Sequence, residues 1–253
     1  MTFGPRQRIR KPHIQTSAGR VVMRALVVLS LGFLIESSSV RAQKPASIPE
    51  EIEWTWEVRP QHADPKLPNV LLLGDSITRN YFPQVTHDLR GVANVYLMAS
   101  STSVGDPRLS HQIAEFAATQ RVSFAVIHFN NGMHGWGYTE AQFQSGFPMF
   151  LRAIRLLSGR GKLIWATITP VKGEVSGGAT NPRIDARNAV AHAFIEVEKI
   201  LVDDQHGLVI RHLDLYEDAV HFNENGSAIM GGQAATIIKR ALEKSGHEQH
   251  GQD

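Results

Sequence analysis

Gly74-Asp75-Ser76-Ile77 and Asp218-Ala219-Val220-His221 stand near opposite ends of the chain, and together they hold the groups that an acyl-transfer reaction needs. A serine hydroxyl becomes a useful nucleophile when an imidazole takes its proton, and the imidazole does so best when a carboxylate fixes its tautomer. An Asp and a His three residues apart can meet across a tight turn. Asp218 can then hold the His221 Nδ1–H and leave Nε2 facing a hydroxyl. Taken singly, each segment has a plainer use: Asp75 or Ser76 suits the cap of a following helix, and a surface Asp–His pair is commonly structural. Which use holds depends on the elements that carry them.

Those elements read as an α/β domain. Short apolar runs alternate with stretches of helical period, the pattern of βαβ units around a parallel sheet. Five runs are expected as strands: Asn69 to Leu73, Asn94 to Met98, Ser123 to Phe129, Lys162 to Ile168 and Leu208 to Leu213. Leu109, Ile113, Phe116 and Ala117 fall on one helical face, as do Phe143, Phe147, Phe150, Leu151, Ile154 and Leu157 in the next segment. Ile184, Ala191, Phe194, Val197 and Leu201 mark a third helix after Pro182, and a fourth is expected from about Gly226 to Lys244. In an open parallel sheet, ligands bind at the carboxyl ends of the strands. The first strand ends at Gly74-Asp75-Ser76 and the fifth leads to Asp218 and His221, so both segments belong to that edge.

Composition removes several other chemistries. The chain has 253 residues, 42% of them apolar and 20% charged, enough for one sizeable core. With no cysteine it has no disulfide framework, thiolate zinc site, cysteine nucleophile or lipidated cysteine anchor. Twelve histidines invite a metal, but there is no HExxH, and His247 and His250 sit in a polar tail expected to fray over 246–253. No metal and no cofactor are expected.

The charge is unevenly placed. Residues 1–42 carry Arg6, Arg8, Arg10, Lys11, Arg20, Arg24 and Arg41 against Glu36, so the formal +2 of the whole chain leaves the remainder at −4. Ala25 to Ile35 is an uncharged apolar run, too short for the ~20 residues that span a bilayer. It is followed by small residues and Val40-Arg41-Ala42, the layout of a secretory signal peptide. Residues 43–253 are then expected as an exported, mildly acidic protein, periplasmic or secreted, without stable membrane insertion. A nucleic-acid partner is not expected, because the basic footprint leaves with the signal. Residues 43–68, with Trp54 and Trp56, show no clear period and read as an extended arm, ahead of a domain over 69–245.

On these residues the chain resembles the SGNH, or GDSL-type, hydrolases. GDSI at Gly74 to Ile77 matches the family's first block, and DAVHFNENG at Asp218 to Gly226 matches its last. The resemblance implies a flavodoxin-like, three-layer α/β/α fold with a five-stranded parallel sheet, and a serine esterase or lipase with Ser76, Asp218 and His221 as its triad. It also implies an oxyanion hole. The family's third block reads GxND, and here Asn130 takes the place of its Asn with Asn131 on the Asp; a shift by one residue would choose Asn131, and Asn-Asn-Gly also favours a plain turn. The second block supplies a backbone N–H, from Gly105 or in its stead from Ser100 or Ser101, while a plain Gly-Asp-Pro turn is the alternative for Gly105. His134, Trp136 and Tyr138, and Arg79, Asn80 and Tyr81, are residues that could line a pocket.

The resulting expectation is an exported esterase acting on short-chain or O-acetyl carbohydrate esters through an acyl-Ser76 intermediate. A catalytically silent carbohydrate-binding module on the same fold, or an O-acyltransferase, are the alternatives. Sequence says nothing of the oligomeric state.

Overall fold

The computed structural model describes residues 46–173, 175 and 177–250, all within the unit Gln43–Asp253. The expected signal peptide lies outside the described residues. The chain forms strands β1 (Thr55–Val58), β2 (Asn69–Gly74), β3 (Asn94–Ser100), β4 (Val126–Phe129), β5 (Lys162–Ala166) and β6 (Leu201–Asp203). Helices α1 (Ser76–Asp88), α2 (Arg108–Gln120), α3 (Glu140–Ser158), α4 (Asn181–Val197), α5 (Gln205–Val209) and α6 (Glu224–His250) join or follow them.

The sheet runs β1-β3-β2-β4-β5-β6, parallel throughout except that β1 pairs antiparallel to β3. Without β1 the order is the flavodoxin-like 2-1-3-4-5. Right-handed crossovers then fix the layers. The step from β2 to β3 goes one way along the sheet and lays α1 on one face. The steps from β3 to β4, β4 to β5 and β5 to β6 go the other way and lay α2, α3 and α4 on the opposite face. α6 packs beside α1, and α2, α3 and α4 pack in series. The direction reverses between β2 and β4, where a crevice must open at the carboxyl edge.

Central strands buried on both faces read as near-continuous apolar runs. Val70 to Leu73 and Val126 to Phe129 are at most 1% exposed, and His128 is the polar exception among them. The helical faces expected from periodicity bury Leu109, Ile113 and Phe116 on α2, and Phe143, Phe147, Phe150, Leu151 and Ile154 on α3. The α3 start is a capping box, with Thr139 Oγ1 accepting from the Gln142 N–H and the Gln142 side chain reaching back.

Several expectations are corrected. The sheet has six strands, because the arm supplies β1, whose Thr55 and Trp56 lie opposite Ser100 and Ala99. Leu208 to Leu213 is not a strand. Asp204 caps α5 through its Oδ1, which accepts from the Gly207 N–H at 2.9 Å, and the chain passes through a turn into a 3-10 turn at Leu213–Leu215. The last strand is instead β6, so Leu201 leaves the expected helix. Val197 is 80% exposed at the α4 end rather than on its buried face. Helix α6 starts at Glu224 and runs through His250, beyond Lys244 and into the segment expected to fray.

The arm is fastened across the carboxyl edge. Ser47 Oγ donates to Asp106 Oδ2 at 2.6 Å, and the Ile48 N–H donates to Tyr138 Oη at 2.6 Å. The Trp54 N–H donates to Ser101 Oγ at 2.8 Å, and the Ser101 N–H returns a bond to the Trp54 carbonyl. Buried beneath this edge, His128 Nε2 and Asp203 Oδ2 lie 2.7 Å apart. Gln205 and Gln233 also donate to the Asp203 carboxylate, each at 2.7 Å. Burial pushes the Asp203 carboxyl upward, but the His128 bond and the two amides outweigh it and hold it below the usual carboxylate range.

Candidate active site

Ser76 is the first residue of α1. Asp75 precedes it in extended conformation and caps the helix, its Oδ1 accepting from the Ile77 N–H at 3.0 Å. The Ser76 N–H is one of the donors that a helix start leaves without an intrahelical partner. Gly74 permits the tight strand-to-helix turn: a β-carbon there would overlap the Thr78 side chain and stand 3.0 Å from the Asn130 carbonyl.

His221 reaches this serine across the sheet edge, with Nε2 2.9 Å from Ser76 Oγ. Its Nδ1 lies 2.8 Å from Asp218 Oδ2, while Asp218 Oδ1 accepts the N–H groups of Val220 and His221 at 2.7 and 2.6 Å. The carboxylate therefore both closes its own turn and orients the ring. Partial burial pushes the Asp218 carboxyl up, but the backbone and ring N–H groups of His221 and the Val220 N–H outweigh it and bring it down to about 2. With Nδ1 protonated towards this anion, Nε2 is left as the acceptor for the Ser76 proton. The turn is fixed from outside the motif: Tyr216 pairs with Phe222 in an isolated bridge, and the Asn223 N–H donates to the Leu215 carbonyl at 2.8 Å.

Asn130 follows β4, across the crevice from Gly74. Its Nδ2 donates to the Ala166 carbonyl at 2.7 Å, which uses one of two amide hydrogens and orients the other. Asn130 and Asp75 line one small recess, with room of about 10 Å³, the size for a single water. Asn131 is buried, and its Nδ2 spans back to the Ser100 carbonyl at 3.3 Å. Gly105 is not brought to this place. Its N–H donates to Ser103 Oγ at 3.2 Å, and a β-carbon on it would meet the Tyr138 ring at 2.9 Å. Gly105 is a close-packing glycine under Tyr138. The Ser101 N–H is likewise spent, on Trp54.

The cleft over Ser76 and His221 has a volume of about 520 Å³. Its walls are the arm at Ile48 to Glu51 and the loop Met133 to Gly137, with Val175, Gly177 and Ala179 opposite. The loop is held from below by two arginines of α4. Arg187, fully buried, donates to the carbonyls of Gly132, His134, Gly135 and Tyr138 at 2.9–3.2 Å, and its guanidinium lies 3.9 Å from the Trp136 ring centroid. Burial, with Arg183 nearby, pulls Arg187 down to about 10. Arg183 donates to the Trp136, Gly178 and Tyr138 carbonyls and pairs with Glu140 at 2.7 Å.

The arm and loop meet at Glu50. Its two oxygens take His134 Nδ1 at 2.9 Å and the Gly135 N–H at 2.7 Å. Burial disfavours charge on both groups, yet their mutual bond outweighs it, so the Glu50 carboxyl is lowered and the His134 imidazole raised. Glu50, Arg183 and Arg187 were not legible as site residues, because each acts through contacts distant in sequence; His134 and Trp136 were marked only by following the Asn-Asn-Gly segment. Among the described residues, no group of three His, Asp or Glu side chains is placed to hold a metal ion, and no helix is long and apolar enough to cross a membrane.

No family model and no curated protein matches the sequence. Solved structures do match in fold. A member of the lipolytic G-D-S-L family from Veillonella parvula aligns with a TM-score of 0.55 at 21% identity, over 68% of this chain and 98% of its own. A carbohydrate esterase of family 3 from Talaromyces cellulolyticus aligns at 0.56 and 17%, over 70% and 99%. An acetyl xylan esterase aligns at 0.54 and 13%, over 67% and 99%.

Proposed function

We propose that this chain, whose fold is that of the GDSL/SGNH hydrolases, is a serine ester hydrolase with Ser76, His221 and Asp218 as its catalytic groups. The observation that carries the reading is the unbroken relay from Ser76 Oγ to His221 Nε2 at 2.9 Å and from His221 Nδ1 to Asp218 at 2.8 Å. His221 takes the hydroxyl proton as Ser76 attacks the ester carbonyl. The Ser76 N–H at the helix start and the free hydrogen of the Asn130 amide stabilise the oxyanion. His221 then gives the proton to the leaving alcohol, and a water, activated by the same imidazole, releases the acid and regenerates Ser76. Asn130 rather than Asn131 fills this role because its amide is accessible and pre-oriented, whereas Asn131 is buried. Gly105 has no part in it, its N–H being engaged elsewhere.

The substrate reading is an ester of a short acid, above all an O-acetyl carbohydrate. Trp136 on the cleft wall offers a flat face for a sugar ring, and proteins of the same fold include acetyl xylan and carbohydrate esterases. The basic leader of residues 1–42 supports export, with Gln43 as the first residue of the working protein. A fluorophosphonate that reacts only with activated serines tests the assignment. A single adduct on the peptide bearing Ser76, absent after His221→Ala, is the expected result; labelling elsewhere or none at all contradicts it.

A further inference from the structure

Arg79 stands one helical turn beyond Ser76 on the same face of α1. Its guanidinium carbon lies 5.3 Å from the Trp54 ring centroid and 5.4 Å from that of Trp56. The neighbouring arginines spend their N–H groups inside the protein: Arg108 on Asp106 and Glu53, Arg183 and Arg187 on Glu140 and the loop carbonyls. Among the described residues, no hydrogen bond or ion pair engages the Arg79 side chain. Neither indole contact takes up an N–H as a hydrogen bond would, so the five donors of this guanidinium are left for a ligand.

The position adjoins the reaction centre on both sides. Trp54 meets His134 of the cleft wall edge-on at 5.7 Å. Arg79 itself lines a second groove, of about 600 Å³, together with Asn80, Gln84, Glu217 and Phe222, the residue after His221. Trp56 is 52% exposed at the rim. This open side can take the larger portion of an ester, its alcohol.

Resting on the esterase reading above, we infer that Arg79, framed by Trp54 and Trp56, is a subsite for a carboxylate carried by the alcohol part of the substrate, as on a uronic acid unit in a carbohydrate ester. A guanidinium edge matches the two oxygens of a carboxylate in a bidentate pair. The exposed Trp56 face provides stacking for the ring that bears it. Glu217 and Glu224 line the same groove. Two carboxylates against one guanidinium repel a densely charged polyanion, so the fitting ligand is an otherwise neutral chain with isolated acidic units.

The test compares kcat/KM on acetylated xylo-oligosaccharides with and without one glucuronic acid unit, for the wild type, Arg79→Gln and Arg79→Lys. Circular dichroism checks the fold, and binding of the deacetylated acidic and neutral oligosaccharides is measured on Ser76→Ala by calorimetry. The expected result is a preference of about tenfold for the acidic substrate, expressed in KM, reduced by salt, abolished by Gln and partly kept by Lys. Equal ratios in wild type and Arg79→Gln overturn the subsite and leave the esterase reading standing. Acidic-selective binding to Ser76→Ala that Arg79→Gln removes, with no hydrolysis by the wild type, keeps the subsite and sinks the esterase. Neither hydrolysis nor selective binding overturns both.

Discussion

At the scale of single residues, the chemistry of the site turns on which polar groups are spent and which are free. The Asn130 amide has one hydrogen committed to Ala166 and one uncommitted, the one proposed for the oxyanion. Asn130→Ala is expected to lower kcat by about 10²–10³ with a smaller change in KM, the signature of a donor that acts on the developing charge; Asn131→Ala should instead show itself mainly in stability. Asp218 is predicted to titrate near 2 when its carboxyl carbon is followed by NMR. The sign follows from its lowered folded pKa: its contribution to stability is complete above the ordinary aspartate range and is lost progressively as the pH falls from that range through about 2. That Ser76, Asp218 and His221 meet was legible in the sequence because their types and order are local facts. Gly105 was misassigned because a glycine in a loop says that a side chain is excluded, not by what. Here the excluding body is the ring of Tyr138, 33 residues later in the chain.

At the scale of elements, the strands that were read correctly are those buried on both faces, where burial itself writes the apolar run. β6 has only three residues, two of them exposed, so no run marks it. Leu208 to Leu213 opens with the short apolar run of a strand, yet the Asp204 cap places Leu208 and Val209 at the end of α5, the rest passes through a turn, and Leu213 ends 58% exposed. β1 hides in the arm because an edge strand needs no apolar run. The arm's hold on the loop Met133 to Gly137 gives a pH prediction. His134, with its raised pKa, contributes at low pH and loses its contribution as pH rises through the folded value, while Glu50, with its lowered pKa, contributes above the ordinary glutamate range and fades as pH falls through its own. Protection from hydrogen exchange over residues 46–53, taken relative to the intrinsic base-catalysed rate, should therefore be greatest in mildly acidic solution and fall towards alkaline pH; protection that does not change with pH would remove this pair as a clasp. Arg187→Ala, which strips four carbonyls of their donor in a buried site, is expected to cost about 3 kcal/mol, or roughly 6–12 °C in Tm, and to raise KM as the cleft wall loosens.

At the scale of the whole molecule, the parallel order reverses between β2 and β4, and the serine and the asparagines flank that reversal. The shared direction of the parallel strands brings the ends of β2 and β4 to one edge, and the segment after β6 carries Asp218 and His221 to it, which is why two short motifs far apart in sequence could be read as one site. The export reading predicts that intact mass of the protein recovered outside the cytoplasm begins at Gln43. The most direct measurement of the central claim is kcat/KM for a chromogenic acetate ester with residues 43–253 and with Ser76→Ala in the same chain, both shown to be folded by circular dichroism. Hydrolysis by the first and a loss of at least about 10⁴-fold in the second are expected. Equal turnover in both would contradict that claim.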